Sequence, residues 1–225
     1  MEAAKARILD AALPNVAFDG WSERTLRAAA EEAGVDAALT RVAFPRGAVD
    51  LALYFHEAGD RKLAEELAAA PLSEMRIRDR VAFGVRRRLE IAARDREAVR
   101  RGATLFALPI YAADGARAIW RTADTIWTGL GDTSDDANWY TKRGILAGVY
   151  SATTLYWLGD TSDGFEDTWS FLDRRIEGVM QFENLKASIN RNPLGKLLMA
   201  GPNMAARFVK PPKDAQARDP WAKDA

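Results

Sequence analysis

The hexapeptide LGDTSD occurs twice, at residues 130–135 and 158–163, and it constrains the fold more than any other feature of this sequence. In each copy the glycine suits the left-handed turn that ends a helix, and the Asp, Thr and Ser side chains after it suit the cap of the next helix. In the second copy, Asp163 and Glu166 have the spacing of a capping box. The repeat therefore predicts three consecutive helices, over residues 113–130, 135–158 and 163–184.

These three predicted helices are rich in aromatic side chains. The first carries an apolar stripe with Trp120 and Trp127 seven residues apart, and large aromatic residues continue through the other two. Such a stripe usually belongs to a core, but the three helices together carry more apolar surface than a small core requires. They leave room for an internal ligand. We predict a lipid-binding site lined by Trp120, Trp127, Tyr156, Trp169 and Ile176.

Helical projection divides the middle helix, residues 135–158, into two faces. The apolar stripe is expected to face the core, and the opposite side is expected to face solvent or a partner. The alternative is a central helix that is buried on all sides, because leucines interrupt the stripe. The expected inner stripe contains Asn138, Ile145, Val149, Ala152 and Tyr156, and the opposite side contains Asp136, Tyr140, Arg143 and Tyr150.

Trp139 and Tyr140 are adjacent in this helix, so they cannot both point into one core. At least one of them is expected near a pocket rim or at the surface. Exposed aromatic residues beside charged residues indicate a binding site for a partner.

Residues 1–45 have the pattern of a helix-turn-helix. Ser22 and Asp36 are N-cap residue types placed before short predicted helices at residues 23–33 and 37–43, and Gly34 separates these helices. Residues 5–60 as a whole resemble the DNA-binding half of TetR repressors. The charge of this part of the chain does not suit DNA, because residues 1–50 carry six basic and eight acidic side chains. We expect the fold to be retained without DNA binding.

Two charged features lie in the predicted helices that follow. His56, the single histidine, projects beside apolar residues, and we expect it to be a packed core residue without a catalytic role. Arg86, Arg87 and Arg88 fan over roughly 200° of a helix, so we expect solvated surface rather than one binding face. Ser73 is expected to cap the helix that carries these arginines.

The composition becomes basic toward the C-terminus. Residues 185–213 hold six basic side chains and no acidic ones. Residues 185–209 are predicted to form an amphipathic helix that is too short to span a bilayer and suited to lie on an anionic one. Packing on the rest of the chain or on a second subunit is the alternative, and residues 210–225 are expected to be disordered. The predicted membrane-contact residues are Leu194, Lys196, Leu197, Leu198, Met204, Arg207 and Phe208.

The composition also excludes several kinds of chemistry. The chain has no cysteine and one histidine, which excludes disulfides, thiolate sites and histidine-rich metal sites. It contains no nucleotide-binding or hydrolase motif. We expect no catalytic residue, no metal and no cofactor. The absence of a long apolar run or signal pattern predicts a cytoplasmic protein that is peripheral on the inner membrane, and a first helix starting near Glu2 favours a bacterial origin.

Two stretches carry a family resemblance: DDANWYTKR at residues 135–143 and FEDTWSFLDRRIE at residues 165–177. They resemble the ubiquinone-biosynthesis accessory proteins of the Coq-nine family, and the resemblance extends over roughly residues 5–208. It implies a lipid-binding, TetR-like helical protein that assists a di-iron hydroxylase. By this resemblance the partner-facing residues are Asp136, Asn138, Trp139, Tyr140 and Arg143.

Together these features predict an all-α, TetR-repressor-like chain. We expect a helix-turn-helix module over residues 1–45 and a helical lipid-binding bundle over 46–184, followed by the amphipathic segment and the tail. The resemblance implies a non-enzymatic protein that extracts isoprenoid quinone precursors or phospholipid, or presents such a precursor to the hydroxylase. The alternative is a TetR-like repressor with a hydrophobic effector pocket. The sequence leaves open whether the chain forms a homodimer.

Overall fold

The computed structural model describes residues 1–135 and 137–191, with side chains described as far as Gln181. All regular secondary structure in these residues is helical, as the sequence predicts. Short 3-10 turns at Leu72–Glu74, Ala93–Asp95 and Asp163–Phe165 precede three of the helices. The helices are α1 (Glu2–Asp19), α2 (Glu23–Glu32), α3 (Ala37–Ala43), α4 (Ala48–Ala69), α5 (Ile77–Ile91), α6 (Arg96–Phe106), α7 (Ala112–Gly129), α8 (Ala137–Gly159) and α9 (Glu166–Arg191).

The chain divides into two compact units. The first contains Met1–Glu66 and Arg87–Ala118, and the second contains Leu67–Arg86 and the described residues from Ile119 onward. The predicted helix-turn-helix module of residues 1–45 lies within the first unit. The predicted division of the chain at residue 46 stays a prediction.

Local side-chain caps set the ends of the helices in the helix-turn-helix. The hydroxyl of Ser22 accepts a hydrogen bond from the backbone N–H of Thr25 at 3.2 Å. The carboxylate of Asp36 accepts hydrogen bonds from the backbone N–H groups of Ala38 and Leu39, both at 2.9 Å. Each cap satisfies N–H groups that have no partner within the helix. The predicted caps of α2 and α3 are confirmed.

The core of the first unit forms around α1. Ile8, Ala12 and Val16 lie one turn apart on this helix and are fully buried. Trp21, just after α1, donates its indole N–H to the backbone carbonyl of Ala98 on α6 at 3.0 Å. This bond ties α6 to the helix-turn-helix within the same unit.

Two expectations for α5 are wrong. Ser73 lies in a 3-10 turn and α5 begins later, at Ile77. Arg88 is not solvated, because its side chain is 4% exposed and its Nε donates to the carboxylate of Asp60 at 2.6 Å. His56, one turn before Asp60, is half-buried and lies 3.6 Å from the same carboxylate, a partner that the sequence did not suggest. A buried ion pair therefore lies where a solvated arginine was expected.

The second copy of the repeated hexapeptide caps α9. The carboxylate of Asp160 accepts hydrogen bonds from the backbone N–H groups of Ser162 at 2.7 Å and Thr168 at 2.9 Å. The hydroxyl of Ser162 accepts a third from the N–H of Asp167. Capping of α9 by the acidic and hydroxyl side chains of this copy is confirmed, with Asp160 as its centre. The predicted capping box is wrong, because no hydrogen bond joins the described residues Asp163 and Glu166. The left-handed turn predicted for this copy is also wrong, because Gly159 ends α8 without a positive φ.

No helix in the described part of the chain is both long and apolar enough to cross a membrane. The residues predicted to contact a membrane lie outside the described residues, as does the predicted tail, so both assignments stay predictions. The membrane-contact residues concerned are Leu194, Lys196, Leu197, Leu198, Met204, Arg207 and Phe208.

Candidate functional site

Arg143 lies at the centre of the packed region where α8 begins. Its side chain is 1% exposed. Its guanidinium group donates hydrogen bonds to Asp124 on α7 at 2.6 Å and to Asp132 in the α7–α8 connector at 2.9 Å. A buried guanidinium requires such partners, because an isolated charge is costly to remove from water. The predicted outward position of Arg143 is therefore wrong.

The buried face of α8 differs from the predicted inner stripe. Asn138 is exposed, and Tyr156 is 39% exposed, although both were placed on that stripe. Apolar residues lie on every side of this helix, so periodicity alone does not define its inner face. The ion pairs of Arg143 define it instead. The buried residues of α8 are Trp139, Arg143, Leu146, Val149, Tyr150, Thr153, Trp157 and Leu158.

Aromatic rings surround the Arg143 side chain. Trp139 is 3% exposed, and the guanidinium carbon of Arg143 lies 4.1 Å from the centre of its ring. The rings of Tyr140 and Trp120 lie 4.7 Å and 6.0 Å from that of Trp139. Cation–π and edge-to-face contacts of this kind favour a fixed geometry. Trp139 is thus a packing residue, whereas its neighbour Tyr140 is only half-buried.

The predicted partner-facing residues consequently fall into three groups. Trp139 and Arg143 lie on the buried face of α8. Asn138 is exposed and Tyr140 is half-buried, so these two reach solvent. Asp136 lies outside the described residues. Of the five predicted residues, Asn138 and Tyr140 are the two that the described structure places where another protein could touch them.

Asp132 joins the connector to the first turns of α8. Its carboxylate accepts hydrogen bonds from Lys142 at 2.8 Å, Arg143 at 2.9 Å and the hydroxyl of Ser134 at 2.8 Å. Burial raises the pKa of Asp132, but these hydrogen bonds outweigh it and lower the pKa to about 2. Sequence reasoning missed Asp124 and Asp132 as partners of Arg143. The available signal was an acidic residue, Asp124, inside the apolar stripe of α7.

The two connector aspartates should make the stability of the second unit depend on pH. The pKa of Asp160 is also lowered to about 2, because hydrogen bonds from Thr168 and Ser162 outweigh desolvation. Both pKa values lie below the reference value of 3.8, so the native state binds fewer protons than the unfolded state. The stabilisation is present above pH 3.8 and is lost as the pH falls toward 2.

We expect urea unfolding between pH 2 and pH 5 to show this loss, and the double variant D132N/D160N to show a smaller dependence on pH. Thr133→Ala, at an exposed position of the same connector, is the control and should keep the wild-type dependence. An unchanged pH dependence in the double variant would contradict the assignment.

Two of the predicted lipid-binding residues, Trp120 and Trp127, pack against the start of α8. Trp127 donates its indole N–H to the backbone carbonyl of Lys142 at 3.1 Å, and the ammonium of Lys142 lies 5.2 Å from its ring centre. The ring of Trp120 lies 6.3 Å from that of Tyr140. The indole N–H of Trp120 is enclosed and has no hydrogen-bond acceptor among the described residues.

The other three predicted lipid-binding residues lie along α8 and α9. Tyr156 stacks on Phe171 with ring centres 4.5 Å apart. Trp169 donates its indole N–H to the carbonyl of Gly164 at 2.8 Å, and Ile176 is 5% exposed. Within the described residues, no ring contact joins this group to Trp120 and Trp127. The described ring contacts therefore do not join the five predicted residues into one lining.

No group of three or more His, Cys, Asp or Glu side chains suited to a metal ion occurs in the described ranges. Asp124 on α7 and Asp132 in the connector are paired with Lys142 and Arg143 at the start of α8. The arrangement can hold a rigid aromatic surface.

These helices define an all-helical protein with a TetR-like fold. The chain is similar to the solved structure of the TetR transcriptional regulator from Nitrosomonas europaea, with a TM-score of 0.62 and 18% sequence identity. The similarity covers 77% of this chain and 95% of that chain. The predicted fold class is confirmed. At this level of identity the likeness concerns the fold alone.

The sequence model of the COQ9 family matches residues 112–183. The rat mitochondrial ubiquinone biosynthesis protein COQ9 is 31% identical over 211 residues, which cover 91% of this chain and 67% of the relative. The Drosophila melanogaster protein of the same name is 32% identical over 81% of this chain and 57% of its own length, and the human protein is 30% identical over 91% and 65%. The chain belongs to the COQ9 family. These relatives are mitochondrial, so a bacterial origin stays a prediction.

Proposed function

We propose that this chain is a non-enzymatic accessory protein of ubiquinone biosynthesis. In this proposal it binds an isoprenoid quinone precursor or a phospholipid, and presents the precursor to a di-iron hydroxylase at a membrane. The names of the curated relatives assign those proteins to ubiquinone biosynthesis. One observation carries the proposal: the matched residues, 112–183, are those of α7, α8 and most of α9. The family model therefore covers the aromatic-rich helices and the packed start of α8.

The enclosed N–H of Trp120 supports a polar ligand group beside this tryptophan. A buried donor without an acceptor costs free energy, because its hydrogen bond to water is lost and not replaced. A carbonyl oxygen of a quinone or an ester oxygen of a phospholipid would accept this hydrogen bond. In the proposal, the polar end of the lipid lies at Trp120 and its apolar chain lies among the aromatic residues of α7–α9.

We expect the purified protein to carry lipid in native mass spectrometry, and Trp120→Phe to weaken binding of an isoprenoid quinone about tenfold. The variant removes the N–H donor and keeps an aromatic ring, and the loss of one hydrogen bond accounts for this magnitude. The control is Trp21→Phe, which removes an indole N–H that bonds to Ala98 in the first unit. Its quinone affinity should be unchanged. Absence of both co-purified lipid and quinone binding would refute the lipid-binding proposal.

The hydroxylase is proposed to contact the exposed side of the start of α8. Tyr140 is the half-buried aromatic residue there, and its ring is held by Trp139 and Trp120. Aromatic residues that are fixed before binding contribute strongly to interfaces, because little side-chain entropy is lost when the complex forms.

Tyr140→Ala is expected to weaken binding of the hydroxylase by about tenfold or more, with little change in melting temperature. Thr141→Ala, at the next, exposed position, is the control and should bind normally. Affinity can be measured by calorimetry with the purified hydroxylase. Equal affinity of the Tyr140→Ala variant and the wild type would exclude this surface.

The alternative function, a DNA-binding repressor, gains little from the geometry of α3. The side chains of α3 that could donate hydrogen bonds to DNA bases are those of Thr40 and Arg41. Thr40 is 7% exposed and its hydroxyl donates to the carbonyl of Asp36, whereas Arg41 is exposed. The carboxylate of Glu23 already accepts the backbone N–H of Ala48 at the start of α4. A helix N-terminus that could bind phosphate is therefore occupied by an internal anion. Salt-sensitive, sequence-selective binding to duplex DNA would favour the alternative.

The membrane part of the proposal rests on sequence. The basic, amphipathic residues 185–209 are suited to an anionic surface, and residues 192–209 of this segment lie outside the described residues. Peripheral association with the inner membrane and homodimer formation both stay predictions.

A further inference from the structure

An open cavity lies within the helix-turn-helix itself. Its volume is about 630 Å³, and it is formed by α2, α3 and the turn of residues 44–47. All of its lining residues belong to the first unit, so it is separate from the aromatic cluster at the start of α8. This volume falls in the range of small-molecule sites, about 300–1,000 Å³.

The floor of the cavity is apolar. Leu26 and Ala30 lie one turn apart on α2 and are each 4% exposed, and Phe44 after α3 is 2% exposed. Val35, from the turn between the two helices, completes the floor. The side of α2 and α3 that lines the cavity is therefore concave and apolar at its base.

The rim carries charges, some of which are already used. Glu23 accepts the N–H of Ala48, and Arg46 is paired with both Asp50 and Asp114. Arg27 donates its Nε to the carbonyl of Glu23 at 3.4 Å, which leaves its terminal nitrogens available. Neither Arg27 nor Arg41 forms an ion pair with any residue that the structure describes.

Glu31, the remaining acid on the rim, is likewise without an ion pair in the described ranges. Glu23 also stays charged, because a hydrogen bond from a backbone N–H does not neutralise a carboxylate. Arg27 and Arg41 are therefore balanced in number by Glu23 and Glu31, but both guanidinium groups lack an ion pair among the described residues. Arginine presents a planar fork of donors that matches a carboxylate or phosphate. The combination of an apolar floor and unpaired arginines complements a molecule that has an anionic head and an apolar body.

We infer that this groove binds a small amphipathic anion, with its carboxylate or phosphate head at Arg27 and Arg41 and its apolar body over Leu26, Ala30 and Phe44. The inference goes beyond the proposed lipid site, because it concerns other residues in the other unit. It gives the retained helix-turn-helix a ligand in place of DNA.

The test uses the full chain and decanoate below its micelle concentration, followed by backbone amide chemical shifts and calorimetry. Saturable shifts are expected at Leu26, Ala30 and Phe44, with decanol and inorganic phosphate each binding at least tenfold more weakly than decanoate. The variant R27Q/R41Q should weaken decanoate binding about tenfold or more. Arg24→Gln removes one positive charge at an exposed α2 position outside the cavity lining. It should bind within about twofold of the wild type, because an exposed charge outside the groove is screened by solvent and salt.

Three results would overturn the inference. The first is that decanoate shifts no amide of α2 or α3 saturably, and the second is that Arg24→Gln weakens binding as much as R27Q/R41Q does. Shifts of the same amides by duplex DNA, with no effect of decanoate, would instead assign the groove to nucleic acid. Ala30→Phe places a ring in the groove and provides a second check: a folded variant that still binds decanoate with wild-type affinity would exclude this location.

Discussion

Replacing Arg143 with alanine is expected to lower the free energy of unfolding by about 3–5 kcal/mol, since breaking a buried ion pair leaves charges without their partner. Asp124 and Asp132 both lose a guanidinium that now lies 2.6 Å and 2.9 Å from their carboxylates. Trp139 also loses the cation beneath its ring. Urea unfolding followed by circular dichroism measures the change.

The matched control is Lys142→Ala, because Lys142 also bonds to Asp132 but its side chain is 38% exposed. Its loss should cost about 1 kcal/mol or less. Arg143→Lys keeps the charge but cannot bridge two carboxylates with a planar fork, so it should fall between the two. A loss from Arg143→Ala no larger than that from Lys142→Ala would show that Arg143 does not organise the start of α8.

This expectation reverses what the sequence suggested for Arg143 and Trp139. Projection placed Arg143 on the outer side of α8, and the family resemblance implied that Trp139 faces a partner. In the structure both are buried. Trp139→Ala should therefore destabilise the protein, and it tests packing rather than partner binding. Tyr140 is the aromatic residue of this stretch whose replacement can report on an interface.

The sequence was most informative where structure depends on residues close together in the chain. The caps from Ser22 and Asp36 act over two or three residues, and the Asp160 cap of α9 acts within eight. Residue types at fixed spacing determine such bonds, so the helix ends could be predicted from them. Ser73 shows the limit of this reasoning, because a suitable cap residue can instead lie in a 3-10 turn.

Contacts between distant residues could not be predicted in this way. The partners of Arg143 lie 19 and 11 residues before it, and Asp60 lies 28 residues before Arg88. A helical projection treats an arginine as polar and places it outward, unless the acids that pair with it are known. The candidate ligand groove could not be predicted for the same reason, because its floor joins residues of α2 to residues that follow α3 in the chain.

The Asp60–Arg88 pair supplies the second large expected effect. Arg88 on α5 donates to Asp60 on α4 at 2.6 Å and to the backbone carbonyl of His56 at 2.9 Å. Asp60→Ala would leave a guanidinium that is 4% exposed without this carboxylate. We expect a loss of about 3–5 kcal/mol, by the same reasoning as for other buried ion pairs.

Gly59 provides an independent way to disturb this pair. A methyl group at Gly59 would lie 2.7 Å from the guanidinium carbon of Arg88, so Gly59→Ala must displace Arg88 from Asp60. In an exposed helix the same change would be stabilising, because alanine has the higher helix propensity. The sign of the change in unfolding free energy therefore distinguishes a fixed Arg88 from a mobile one.

Glu57→Ala is the control for α4: Glu57 pairs with Arg61 at the surface, and its loss should cost about 0.5 kcal/mol or less. A stabilised Gly59→Ala variant, together with a small effect of Asp60→Ala, would show that Arg88 does not hold α5 against α4.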